Sequence, residues 1–253
     1  MRDPEDLLKL CDDILAASRA DQTEVVASAT DSGLTRYANN IIHQNVYESD
    51  CQVTLRCVIG KRIGITSTNR MDGESLKAAV ERACRMAEMS AENPEFVSLP
   101  EPTGWAIPEV KSWAPATVNC GPESRAQVVG EVLALAKSDG LSAFGAFTTG
   151  ATTLAVRNSL GVSAAGTFSQ AHLRTLVHGT DSSGFVERFS VDADQLDGQD
   201  VAATAIAKCK GSANPREVPP GDYTVILEQN AVADLLQYVA FFTFNALALQ
   251  EGR

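Results

Sequence analysis

What most limits the fold of this chain is a duplication. A helix-like stretch, five short strand-like stretches and a second helix-like stretch run from about Pro4 to Met89, and the same order recurs from about Pro122 to Cys209. A sequence of 253 residues that states one pattern twice reads as one α+β unit doubled. Chemistry is then expected between the halves or in whatever follows them.

In the first copy Leu7, Leu8, Cys11, Ile14 and Leu15 recur at helical spacing over Asp6–Ser18. From Thr23 the period changes to two. Runs opening at Thr23, Leu34, Ile41, Cys51 and Lys61 predict strands, with Asp31-Ser32-Gly33, Asn39-Asn40 and Gly60-Lys61 as reversals. Links this short admit only an antiparallel meander. Asp72 reads as the N-cap of a helix burying Leu76, Ala79, Val80, Ala83, Met86 and Ala87.

The second copy opens with Pro122 near a helix start and a stripe of Ala126, Val129, Leu133 and Ala136. Strands are expected from Ser142, Thr152, Val162, Ala171 and Gly184, and a closing helix capped by Asp194 or Asp197 turns Ala202, Ala205, Ile206 and Cys209 inward. Arg36 and Arg157 read as matching landmarks on the second strands.

The expected organisation is 1–92 as the first repeat, 93–121 as a linker, 122–217 as the second repeat and 218–253 as the start of a truncated C-terminal domain. Six of the ten prolines fall between Asn93 and Pro122, together with both tryptophans, Trp105 and Trp113, which are expected to pin an extended linker onto the body. After Pro219-Pro220-Gly221, a strand is expected over Asp222–Gln229 and then a helix capped by Asn230. From Ala231 to Leu249 that helix is mostly apolar, but Asp234, Gln237, Thr243 and Asn245 interrupt it, which favours a buried helix over a membrane span.

A net charge of −11 repels phosphate backbones and argues against nucleic-acid binding. The opening MRDPEDLLKL shows no secretion signal, so a cytoplasmic protein is expected, with Cys11, Cys51, Cys57, Cys84, Cys120 and Cys209 as reduced, half-buried thiols. The three histidines, His43, His172 and His178, form no metal-ligand motif. His172 and His178 on one strand would stand roughly 20 Å apart, too far to share a metal. Ser183 lies in a turn sequence, and Gly60, Gly64, Gly140 and Gly161 fit neither a P-loop nor a dinucleotide fingerprint.

Several segments resemble the TldD/PmbA family, also called modulators of DNA gyrase. They are Leu34–Asn40 with Ile41, His43 and Gln44; Val58, Gly60–Gly64 and Asn69; Ala155–Val162; Ser182-Ser183-Gly184; and Pro220–Leu227. The resemblance implies a cytoplasmic, dimeric, metallopeptidase-type protein acting on short or unfolded peptides. It also implies that a TldD-type subunit carries an H-E-x-x-x-H helix with zinc, while a PmbA/TldE-type subunit lacks the metal set. In this sequence Gln237, Tyr238 and Phe242 stand at the three motif positions. None of them can bind zinc or activate its water.

The expectation is therefore a PmbA/TldE-like partner subunit, with no catalytic or metal-binding residue of its own and no cofactor in this chain. Zinc is expected in a TldD-type partner, and the other form considered is a homodimer. The alternatives are a metallopeptidase whose ligands lie beyond Arg253 and a purely structural assembly subunit. Peptide-binding residues are not assignable from the sequence, and no membrane partner is expected.

Overall fold

A computed structural model describes residues 3–104, 110–250 and 252. Helix α1 (Pro4–Ala17) starts at Asp3, whose carboxylate accepts the Glu5 N–H at 2.8 Å. It leads into β1 (Gln22–Ala38), β2 (Ile41–Ile59), β3 (Arg62–Thr68) and α2 (Gly73–Met89). A short helix α3 (Pro115–Val118) closes the linker. The plan then repeats as α4 (Pro122–Ser138), β4 (Ser142–Asn158), β5 (Ser163–His178), β6 (Ser183–Ser190) and α5 (Gly198–Gly211), with a 3-10 turn at Ala193–Gln195. Two further helices, α6 (Gln229–Thr243) and α7 (Ala246–Gln250), follow.

The six strands form one antiparallel sheet in the order β3-β2-β1-β4-β5-β6. The two meanders are thus joined edge to edge through β1 and β4. Both of those strands have 17 residues, and each position of β4 lies 120 after its counterpart in β1. Asp31 pairs with Ala151, its own counterpart, so a pseudo-twofold axis passes between them.

Each copy has two long strands and a short third where the sequence suggested five short ones. Asp31-Ser32-Gly33 is not a reversal, because β1 is central and pairs along its length with both β2 and β4. Ladder bonds on two edges outweigh local turn chemistry. The break expected after Gly150 likewise vanishes into β4. Asn39-Asn40, both at positive φ, do turn the chain between Ala38 and Ile41, and Gly60-Lys61 do so between Ile59 and Arg62. Arg36 and Arg157 are not counterparts. They lie on β1 and β4 and point to opposite faces, and the counterpart of Arg157 is Tyr37.

Along β1 the odd-numbered residues other than Asp31 are buried, and they form the face on which the helices pack. One core gathers Leu7, Cys11 and Ile14 of α1 and Leu76, Ala79 and Val80 of α2 onto Val25, Ala27, Val53 and Leu55. The other gathers Val129, Val132 and Ala136 of α4 and Val201, Ala202 and Ala205 of α5 onto Phe147, Leu173 and Val177. Gly64 and Gly184 hold the same position in the two copies. A Cβ on Gly64 would meet the Ala83 carbonyl and the Ala87 nitrogen of α2, and one on Gly184 would meet the Ala205 carbonyl and the Cys209 nitrogen of α5. Both closing helices can therefore approach the sheet to backbone contact. Their caps are Asp72 and Asp197, while Asp194 lies in the 3-10 turn.

The linker is held by hydrogen bonds more than by its tryptophans. Trp113 is 39% exposed, and Trp105 lies outside the described residues. Gln22 accepts the Leu99 N–H at 2.8 Å, and the Asn158 amide donates to the Pro100 carbonyl at 2.7 Å. Farther on, the expected strand over Asp222–Gln229 is unpaired, since a strand without a ladder partner has no reason to form. Helix α6 begins after Glu228, not at Asn230, and buries none of its residues.

Candidate functional site

A cluster of buried polar groups, Thr35, Arg125 and Thr149 among them, stands beside the pseudo-twofold axis. On one side stands Arg125 in the first turn of α4, 2% exposed. Its Nε donates to Thr35 at 3.2 Å, and its Nη1 donates to the Cys120 carbonyl at 2.7 Å and to Thr149 at 3.2 Å. Its Nη2 donates to Asn45 at 3.2 Å. One guanidinium thus ties β1, β2, β4 and the entry to α4 together through neutral acceptors. Burial lowers its pKa from the ordinary arginine value, with Cys120 and Glu123 acting in opposition. Gly33 has no side chain because a Cβ there would fall on this guanidinium. Arg125, Gly33, Thr149, Cys120 and Asp31 share the walls of a cavity of about 220 Å³.

On the other side Asp31 shares side-chain hydrogen bonds with Ser49 and Tyr47 of β2. Asp31, Ser49, Asp50 and Asn69 are among the residues lining a second recess of about 380 Å³. It lies where β3 ends and leaves the outer edge of β2 uncovered. Local sequence conceals most of this arrangement, because Asp31 and Gly33 read as turn residues. The one usable signal was a buried arginine pattern, and Arg125 falls on the inward stripe beside Val129 and Val132.

The residues weighed from the sequence do not gather here. His172 and His178 both lie on β5 and share a face of the sheet. His172 pairs with Glu187, while His178 meets the Phe144 ring edge-on at 5.5 Å. His43 is exposed on β2. Ser183 acts through its backbone: its N–H donates to Ser212, whose hydroxyl donates to the Ser183 carbonyl at 2.8 Å. Among the described residues no hydrogen bond joins the Ser183 hydroxyl to His178.

Cys11, Cys57, Cys84 and Cys209 are buried, more deeply than expected, and Cys51 and Cys120 are half-buried; none of the six is in a disulfide. Burial pushes the thiols of Cys11 and Cys57 up to about 11. Within the Ala155–Val162 motif, Arg157 pairs with Asp12 at 3.1 Å. The Asn158 carboxamide accepts the N–H groups of Leu160 and Val162, closing the β4–β5 turn.

Gln237, Tyr238 and Phe242 lie on α6, with Tyr238 66% and Phe242 71% exposed. An amide, a phenol and a phenyl ring do not fit a zinc site. Among the described residues no three His, Cys, Asp or Glu side chains are grouped to hold a metal, and no helix is long and apolar enough to cross a membrane.

Residues 23–87 match the family model for PmbA/TldA metallopeptidase domain 1. No curated protein matches the sequence. The fold is shared with TldE from Thermococcus kodakarensis at 19% identity and a TM-score of 0.68, over 81% of this chain and 47% of that one. It is shared with a candidate modulator of a DNA gyrase from Thermotoga maritima at 12% identity and a TM-score of 0.72, over 85% and 50%. A candidate modulator of DNA gyrase from Bacteroides thetaiotaomicron gives 15% identity and a TM-score of 0.81, over 99% and 59%. The chain thus spans about half the length of these proteins.

Proposed function

We propose that this chain, a member of the TldD/PmbA family, is the PmbA/TldE-like, non-catalytic partner of a cytoplasmic TldD-type metalloprotease that processes short unfolded peptides. The observation that carries the reading is the chemistry of Gln237, Tyr238 and Phe242 on α6, which the family resemblance sets against an H-E-x-x-x-H motif and which supplies no zinc ligand. The likeness of fold to TldE supports the same side of the family. In this reading residues 218–253 open a further domain, zinc belongs to the partner, and the two repeats of this chain help to hold the peptide. An extended peptide lends itself to backbone pairing with an open sheet edge, which tolerates many sequences.

The test is co-expression with a TldD-type subunit carrying the motif. The pair is expected to copurify, to hold zinc through the companion and to cleave unfolded peptide, while this chain alone is inert. Peptide hydrolysis by the purified chain alone, abolished by chelator and restored by zinc, overturns the reading in favour of an independent metallopeptidase. A pair in which bound peptide crosslinks only to the companion reduces this chain to a structural subunit.

A further inference from the structure

The closing helix of each copy rests on its sheet through a glycine, and in the first copy the next contact inward is a pair of thiols. Gly64 lets the Ala83 carbonyl and the Ala87 nitrogen of α2 come down to the sheet. Cys57 is the β2 partner of Gly64, so its side chain rises one strand further in, beneath the same turn of α2. Cys84 belongs to that turn and faces the same core. Both residues are 0% exposed, and their thiols share a hydrogen bond. The Thr23 hydroxyl also donates to the Cys57 sulfur at 3.9 Å, a contact that favours a thiolate.

In the second copy the corresponding residues are Val177, the β5 partner of Gly184, and Ile206, which follows Ala205 on α5. Both belong to the apolar core. The same junction therefore packs without sulfur. What the thiols of the first copy add is a bond that can form and break.

We propose that Cys57 and Cys84 form a reversible disulfide that straps α2 to β2, with a small-molecule disulfide as the oxidant. One cysteine thiolate attacks the small disulfide, whose S–S bond breaks and releases one small thiol. The second thiolate attacks the resulting mixed disulfide and releases the other. The two protons given up by the cysteines end on the two released thiols, so both cysteines are oxidised and one small disulfide is reduced. Burial pushes the Cys57 thiol up to about 11, so the packed form is inert and exchange waits for α2 to lift from the sheet. Repacking then returns the second thiol to the capped sulfur, which favours the internal bond over a second cap. The strap closes a loop holding β3 and most of α2, and it keeps that helix in its closed state. Where thiols are kept reduced, such a bond is transient and follows the local thiol balance. Neither thiol enters the partner-subunit reading, which stands or falls separately.

The probe is oxidised glutathione, added to the reduced full chain and followed by intact mass and by peptide mapping after the remaining thiols are alkylated. The expected product has lost two hydrogen atoms, carries a Cys57–Cys84 link and returns to the dithiol with dithiothreitol. Hydrogen exchange at the α2 amides is expected to slow by at least about tenfold in the linked form, with α5 unchanged as the internal reference. Cys84→Ser is expected to give no link. The double variant Cys57→Val with Cys84→Ile copies the second repeat, and its α2 is expected to exchange alike with and without oxidant. The proposal is overturned if the native chain yields no link, if the link joins Cys11 and Cys51 instead, if only mixed disulfides accumulate, or if the linked α2 exchanges as fast as the reduced one.

Discussion

The two copies pack their closing helices alike and differ where they meet. Gly64 against α2 and Gly184 against α5 are the same solution to the same close approach. Beside the axis, Thr35, Asn45 and Thr149 take hydrogen bonds from Arg125, whereas the rotated positions hold Ala155, Ala165 and Ala29. Ala29 and Ala155 belong to the apolar core under α1, where Leu7 and Cys11 do the packing. One side of the axis is therefore ordinary core and the other is a polar strut. The shared parts carry the fold, and the unshared parts are where a specific role is to be sought.

The strongest test of the shared part is Gly184→Val and its counterpart Gly64→Val. Each forces side-chain atoms into helix backbone that cannot rotate away. Each is expected to cost about 3 kcal/mol in chemical denaturation, at the upper end of overpacking effects. Equal losses sharpen the equivalence, and a tolerated valine at either site breaks it.

The unshared part predicts a smaller but one-sided effect. Arg125→Met leaves the Cys120 carbonyl and the hydroxyls of Thr35 and Thr149 without their donor, for a loss of about 2 kcal/mol. Arg125→Lys is expected to recover little of it, since one ammonium cannot reach four acceptors set out around a planar fork. Full stability in Arg125→Lys would show that the charge matters and the strut does not.

This asymmetry also explains how far the sequence could be read. Helix stripes, apart from Met86 of α2, which is exposed, and the turns Asn39-Asn40 and Gly60-Lys61 were legible because the forces behind them are local or periodic. The strand count was not. Asp31-Ser32-Gly33 resembles a turn because Asp31 serves Tyr47 and Ser49 and Gly33 makes room for Arg125. A second false break, after Gly150, falls one residue from the same axis, at Ala151, while the breaks expected at Cys51 and Ala171 lie inside β2 and β5. Residues selected for a long-range meeting point imitate local chain reversals, so the candidate site was hidden by the errors that it caused. The exposed α6 was legible in its apolar content but not in its surroundings, which no local pattern encodes.

Tyr37 offers a finer contrast, because it carries the core of the second copy from a strand of the first. Its hydroxyl reaches the Thr175 hydroxyl at 2.6 Å and the Arg174 carbonyl at 3.0 Å. Tyr37→Phe is expected to cost about 1 kcal/mol. Burial pushes its pKa up to about 12, above the ordinary value of 10. The unfolded chain therefore loses this proton first, and the tyrosine's contribution is complete below pH 10 and declines as pH rises from 10 towards 12. The alkaline decline of stability should be shallower in Tyr37→Phe than in the parent. An unchanged alkaline profile would place the phenol in contact with solvent.

The smallest expected effect lies at the caps of the two closing helices. Asp72 accepts the Ser75 N–H at 2.8 Å, and that backbone hydrogen bond leads the causes holding its carboxyl below the ordinary 3.8. A depressed folded pKa gives stability that is present above pH 3.8 and is lost as pH falls through the folded value. Asp72→Asn keeps an acceptor at the cap but removes the titration, so it should flatten part of the acid limb while leaving neutral stability nearly unchanged. Asp197 caps α5 through the N–H groups of Gln199 and Asp200 at 2.7 and 3.2 Å, so Asp72→Ala and Asp197→Ala, each removing the cap acceptor, give a matched pair at neutral pH. If both alanine variants lose stability alike at neutral pH, the copies end their meanders by the same device. If only one does, the equivalence seen at Gly64 and Gly184 stops at the helix body and does not extend to its first turn.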